Sequence, residues 1–76
     1  MKPEKAFGEV LRSARLSRQL SQEALAHESG LDRTYISLLE RGERQPTLKT
    51  LLALARALKV SASTLVARTE ASADED

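Results

Sequence analysis

The sequence predicts an all-α domain of five helices, and three observations predict it. Apolar residues recur at helical spacing in successive segments, beginning with Phe7, Val10, Leu11 and Ala14 at i, i+3, i+4 and i+7. Ser21, Asp32, Thr47 and Ser61 each stand just before such a segment, where a side-chain oxygen can accept from the free N–H groups of a helix start. No stretch reads as a strand and no segment repeats.

In order along the chain, residues 1–5 are expected to form a flexible lead-in, with Pro3 tolerable in a first helical turn. The first helix carries the Phe7–Ala14 stripe inward and Arg12, Arg15 and Arg18 along its length. Leu20 anchors the link to Ser21, which caps a second helix with Gln22 and Glu23 in its first turn and Leu25 and Ala26 as its apolar edge. Gly30 closes that helix, since only Gly takes positive φ without steric cost. Asp32 caps the third, over about residues 33–41, which at 100° per residue puts Ile36 and Leu39 inward. Thr34, Ser37 and Arg41 fall on the opposite side with Leu38 beside them, while Arg33 and Tyr35 take the flanks.

Residues 43–46 form a loop, Pro46 blocks continuation of the third helix, and Thr47 caps a fourth. Its residues Leu48, Leu51, Leu52, Leu54, Ala55 and Leu58 spread over a wide apolar arc. Val60 packs in, and Ser61 caps a short fifth helix carrying Leu65 and Val66. Residues 69–76 turn small, polar and acidic and are expected to be a disordered tail, so the folded domain is placed at residues 6–68.

Seventy-six residues allow one domain near the lower size limit for unaided folding. With no Cys, neither disulfides nor a thiolate zinc site can reinforce it, and stability must come from helix packing or self-association. No signal peptide is visible, and the longest wholly apolar run, residues 51–55, cannot cross a bilayer, so no membrane partner and a cytoplasmic location are expected. The net charge of +1 conceals an asymmetry: up to Arg68 all 12 Lys and Arg face seven acids, whereas residues 69–76 hold four acids and no base. A basic body with an acidic end suits a polyanion partner, although a solvated surface of mixed charge reads equally well from charge alone.

The second and third helices, each too short to be stable alone, meet at the tight corner Ser29-Gly30-Leu31-Asp32, so residues 21–42 form a helix-turn-helix. The sequence resembles the Cro and phage-repressor type of this motif, the XRE-type family. The resemblance is carried by Gln22 with Leu25-Ala26, Gly30-Leu31, Tyr35-Ile36-Ser37 and Leu39-Glu40-Arg41-Gly42. Pro46-Thr47-Leu48, Leu54-Ala55 and Ala57-Leu58-Lys59-Val60 extend it, so that it spans about residues 7–66. The run LDRTYIS, with the small size, looks like the controller proteins of restriction–modification systems. Two positions depart: Ser29 stands where the family has an apolar side chain, and Lys59 where it has Gly, which implies a left-handed residue or a differently built helix end.

The resemblance implies a phage-repressor-like DNA-binding domain acting as a transcriptional regulator, in the prokaryotic cytosol or nucleoid. A recognition helix meets base edges with its N-terminal residues, so Arg33, Thr34, Ser37 and Leu38 are the candidate base contacts. Arg33 can give a bidentate pair to guanine, and Leu38 can meet thymine methyls, against plain readings as a solvated residue and a rim-of-core residue. Gln22, Tyr35, Arg44 and Thr47 are candidate phosphate contacts, with Tyr35 also able to close the core edge with its ring. The family pairs the position of Glu40 with an arginine of the first helix, here Arg15, so the two are expected to form a partly buried ion pair.

One recognition helix reads too few base pairs to select a genomic site, and two related by a two-fold axis read an inverted repeat with half-sites about 34 Å apart. A homodimer is therefore expected, with Leu52, Ala62, Leu65 and Val66 as its surface and Leu65 also able to fill the core. The sequence offers little for catalysis: His27 is the only His and reads as an exposed spectator, and no nucleophilic set or metal cluster can be assembled, so no metal and no cofactor are expected. Two aromatics are too few for a single-stranded RNA platform. The alternative from another class is a protein-interaction module, such as an antitoxin, although eight tail residues are short for wrapping a toxin.

Overall fold

Each helix begins and ends on residues that settle its unpaired backbone groups. The computed structural model describes residues 1–74 and among them places five helices and no strand: α1 (Pro3–Ser17), α2 (Gln22–Ser29), α3 (Arg33–Glu40), α4 (Leu48–Leu58) and α5 (Ala62–Ala73). Ser21 Oγ accepts the N–H of Ala24, Asp32 Oδ2 that of Thr34, Thr47 Oγ1 that of Thr50, and Ser61 Oγ that of Thr64. Only α1 lacks a side-chain cap and starts instead on Pro3, whose missing N–H would have found no partner there.

Four exits share one device. Gln19, Gly30, Gly42 and Lys59 all have positive φ, between 59° and 74°. The next residue then reaches back to a carbonyl in the preceding helix: Leu20 to Arg15, Leu31 to Ala26, Glu43 to Leu38, and Val60 to Ala55. Leu20, Leu31 and Val60 lay their side chains on the core. Lys59 is the left-handed residue that its departure from the family implied, whereas Gln19 gave no such signal. For a side chain with a Cβ this conformation costs about 1–2 kcal/mol.

The core joins Phe7, Val10, Leu11 and Ala14 of α1 to Leu25 and Ala26, Ile36 and Leu39, Leu54, Ala55, Ala57 and Leu58, and Leu65. α1 lies against α3 and α5, α2 against α3 and α4, and α4 against α5. At Gly8 the approach of α1 to α3 is backbone to backbone: a Cβ there would stand 2.6 Å from the carbonyl oxygens of both Leu39 and Glu40.

Several expectations are corrected. α1 begins at Pro3, so residues 3–5 are helical and not a flexible lead-in, with the amides of Lys5 and Ala6 bonded to the Lys2 carbonyl. α5 runs to Ala73, where residues 69–76 were expected to be disordered. Its packing on α1 outweighs the polar composition, and Thr69 turns its hydroxyl onto the Leu65 carbonyl at 2.8 Å. The last two residues of that expected tail, Glu75 and Asp76, lie outside the described residues. Leu48, placed on the apolar arc of α4, is 72% exposed, because the core takes only the Leu51–Leu54–Leu58 side of that arc. Leu65 is fully buried under α1 and α4 and cannot belong to a dimer surface. Among the described residues no single helix is long and apolar enough to cross a membrane.

Candidate nucleic-acid interface

α3 is eight residues long and owes its position to two of them. Ile36 and Leu39 are fully buried and fix its rotation about its own axis. With those two inward, Arg33 and Thr34 are exposed, Ser37 and Leu38 half-buried, and Arg41, at the C-terminal cap, exposed. These five fall within one arc of the helix wheel. Tyr35 stands on the flank, half-buried against the core, with its hydroxyl donating to the Gln45 carbonyl at 3.4 Å.

On the flank of α3 away from Tyr35, Glu40 enters a polar junction beneath the surface. Arg15 Nε donates to Glu40 Oε2 at 2.6 Å and Arg15 Nη2 to Oε1 at 3.0 Å, while Nη1 donates to the Leu20 carbonyl at 2.8 Å. Gln22 Nε2 donates to the same Oε1 at 3.1 Å. The side chains of Arg15 and Glu40 are only 9% and 4% exposed. Donating to the Glu40 carboxylate raises the Arg15 pKa above the ordinary arginine value, with burial opposing the rise and the carboxylate's charge adding to it. The junction thus ties α1, the α1–α2 turn, the start of α2 and the end of α3 into one unit.

The remaining sequence candidates divide. Arg44 is exposed in the loop after α3. Thr47 has spent its hydroxyl, which accepts from the Thr50 N–H and donates to the Thr50 hydroxyl, so it has no side-chain hydrogen left for a phosphate. Leu52 and Val66 are exposed on α4 and α5, and Ala62 is half-buried against the core. His27 is exposed, and among the described residues no three His, Asp or Glu side chains gather as a metal site.

Arg41 belongs to the surface but is absent from the candidates. It sits on the outward arc with its Nε 3.6 Å from Glu43 Oε2, both side chains more than half exposed. The helical wheel places it beside Ser37, but at the helix end, away from the N-terminal residues that meet base edges.

Comparison with known proteins gives one consistent answer. Residues 11–65 match a family model described as helix-turn-helix. The control protein C.SmaI of Serratia marcescens is 52% identical over 62 residues, covering 82% of this chain and 74% of that one. The restriction–modification controller protein C.AhdI from Aeromonas hydrophila superposes with a TM-score of 0.80 at 45% identity, over 82% of this chain and 94% of that chain. The controller protein C.Esp1396I, solved as a tetramer with its natural 35-base-pair operator, superposes with a TM-score of 0.84 at 33% identity, over 95% of both chains. Other relatives are longer: the chain spans 44% of an HTH-type transcriptional regulator of Mycobacterium tuberculosis.

Proposed function

The chain belongs to the XRE-type helix-turn-helix family, and we propose that it is a sequence-specific double-stranded DNA-binding transcriptional regulator of the controller-protein kind. The observation that carries this reading is the division of α3, which spends Ile36 and Leu39 on the core and leaves Arg33, Thr34, Ser37, Leu38 and Arg41 together on the outside. A helix so held can enter the major groove, where Arg33 pairs with guanine O6 and N7 and Thr34, Ser37 and Leu38 meet neighbouring bases. Gln22 and Arg44 hold the backbone on either side and set register; Tyr35 joins them by exchanging its long, exposed 3.4 Å bond to the Gln45 carbonyl for a phosphate, and Thr47 by its place at the start of α4. This work is binding and asks for no catalytic group, metal or cofactor, and it places the protein with DNA in the cytosol or nucleoid.

Two copies bind an inverted repeat, each reading one half-site, and meet through the exposed apolar side chains Leu52 and Val66 with Ala62 beside them. C.Esp1396I forms a tetramer on its operator, which supports self-association on DNA for a chain of this shape. Selection of bound sequences from a random duplex library tests the function. The expected product is an inverted repeat with half-sites about one helical turn apart. A library that emerges without enrichment would overturn the reading and favour a protein-interaction module.

A further inference from the structure

Building on the DNA-binding reading above, we propose that Glu40 is a positioning residue for duplex binding. Its carboxylate holds the Gln22 amide in the one orientation that leaves an N–H for a DNA phosphate, so the junction beneath α3 sets affinity for DNA as well as stability.

The argument follows from counting donors and acceptors. An ionised carboxylate only accepts. Glu40 therefore fixes which end of the Gln22 amide faces it: Nε2 points in at 3.1 Å, and the reversed amide would press two oxygens together. One Nε2 hydrogen is used there, and the other is the only donor left on the side chain. Glu40 in turn cannot turn away, because both its oxygens take bonds from Arg15 and its side chain is 4% exposed. Arg15 is itself held by its third bond, to the Leu20 carbonyl. The restraint runs unbroken from α1 to Gln22, whose residue is half-buried and still reaches solvent. A glutamine without that restraint would have to be ordered during binding, which for one such side chain corresponds to about a three- to tenfold loss of affinity.

A second consequence separates this role from that of a basic residue. The Gln22 amide is neutral and releases no counterion, so losing its contact weakens binding without changing the salt dependence.

The experiment compares wild type, Gln22→Ala, Glu40→Met and the double variant on the selected inverted-repeat duplex, at a temperature where circular dichroism shows each fully folded. Glu40→Met keeps an unbranched side chain of similar length but removes both acceptor oxygens, so nothing fixes the Gln22 amide. Gln22→Ala is expected to weaken binding about three- to tenfold with an unchanged salt slope. In the Glu40→Met background the same substitution is expected to cost less than about twofold, since the contact is already lost. Equal losses in both backgrounds overturn the proposal while leaving the DNA-binding reading intact. A wild type that binds no duplex overturns both. Should Glu40→Met fail to fold, the side-chain amide resonances of Gln22 in 15N-labelled wild type decide: duplex should shift one hydrogen and leave its Glu40-bonded neighbour in place, and two unmoved hydrogens overturn the proposal.

Discussion

Two arginine–glutamate pairs meet at the end of α3, and they differ in almost everything but composition. Glu40 and Arg41 are consecutive, so about 100° of helix rotation separates them. Glu40 turns inward to a two-bond contact with Arg15, at 2.6 and 3.0 Å, and that pair is almost wholly removed from water. Arg41 turns outward and meets Glu43 by a single approach of 3.6 Å, with the side chains 59% and 56% exposed. In the buried pair each charge depends on the other because water cannot replace a lost partner. In the exposed pair water and salt do most of the work, and the guanidinium stays available to another anion. One turn of helix thus carries a fixed structural contact and an exchangeable one, and rotation sends Glu40 inward to Arg15 of α1 and Arg41 outward to Glu43.

The contrast breaks most visibly in stability. Arg15→Ala and Glu40→Ala should each cost about 3–5 kcal/mol, since each strands a charge beneath the surface. A double-mutant cycle by urea melting should give a coupling well above the roughly 0–1 kcal/mol of surface pairs, and a value inside that range would put the two pairs in one class. The raised Arg15 pKa adds stability that is fully present below the unfolded arginine value and is lost only as pH rises through the still higher folded one. The window therefore lies above the ordinary arginine range, and refolding at mildly alkaline pH should leave the arginine side of the pair untouched.

The difference between the pairs also marks how far the sequence could be read. Ser21, Asp32, Thr47 and Ser61 were legible as caps because a cap bonds an amide two or three residues away. The outward group on α3 was legible because Ile36 and Leu39 set the rotation locally. The partner of Glu40 lies 25 residues away, and only the family resemblance supplied Arg15. Nothing near Gly8 announces that the carbonyls of Leu39 and Glu40 will press on it. The periodicity of α4 marks an apolar arc but not where the core stops covering it, which is why Leu48 was misplaced. Gln19 adopts positive φ without being glycine because Leu20, next to it, gains a place on the core. In every one of these cases the deciding contact belongs to another helix.

Among the exposed arginines the contrast can be sharpened by asking which carry sequence information. Arg33→Ala should cost about 1–3 kcal/mol on the preferred duplex and relax selectivity at one position per half-site. Arg44→Ala should weaken binding to all duplexes alike and reduce the salt slope by about one. Titrations against matched and single-mismatch duplexes tell them apart. Uniform losses on every sequence for Arg33→Ala would move it to the backbone contacts.

The smallest effect tests the exchangeable pair itself. Removing the Glu43 charge should change stability by less than about 0.5 kcal/mol, as expected for a surface substitution with no buried partner. On DNA the same change acts twice: it deletes a carboxylate that phosphates repel, and it releases Arg41 from its partner in the free protein. Glu43→Gln should therefore tighten duplex binding by about two- to threefold at low salt, with a salt slope steeper by up to about 0.9 as Arg41 displaces one more counterion. The gain should fade as salt rises, because the original pair and the new phosphate contact are screened alike. It should also be independent of base sequence, since a phosphate carries none. Fluorescence anisotropy across a salt series, on the selected duplex and on a scrambled one, checks all three features. If Glu43→Gln leaves affinity and slope unchanged on both duplexes, Arg41 does not reach the backbone, and the end of α3 projects clear of the DNA.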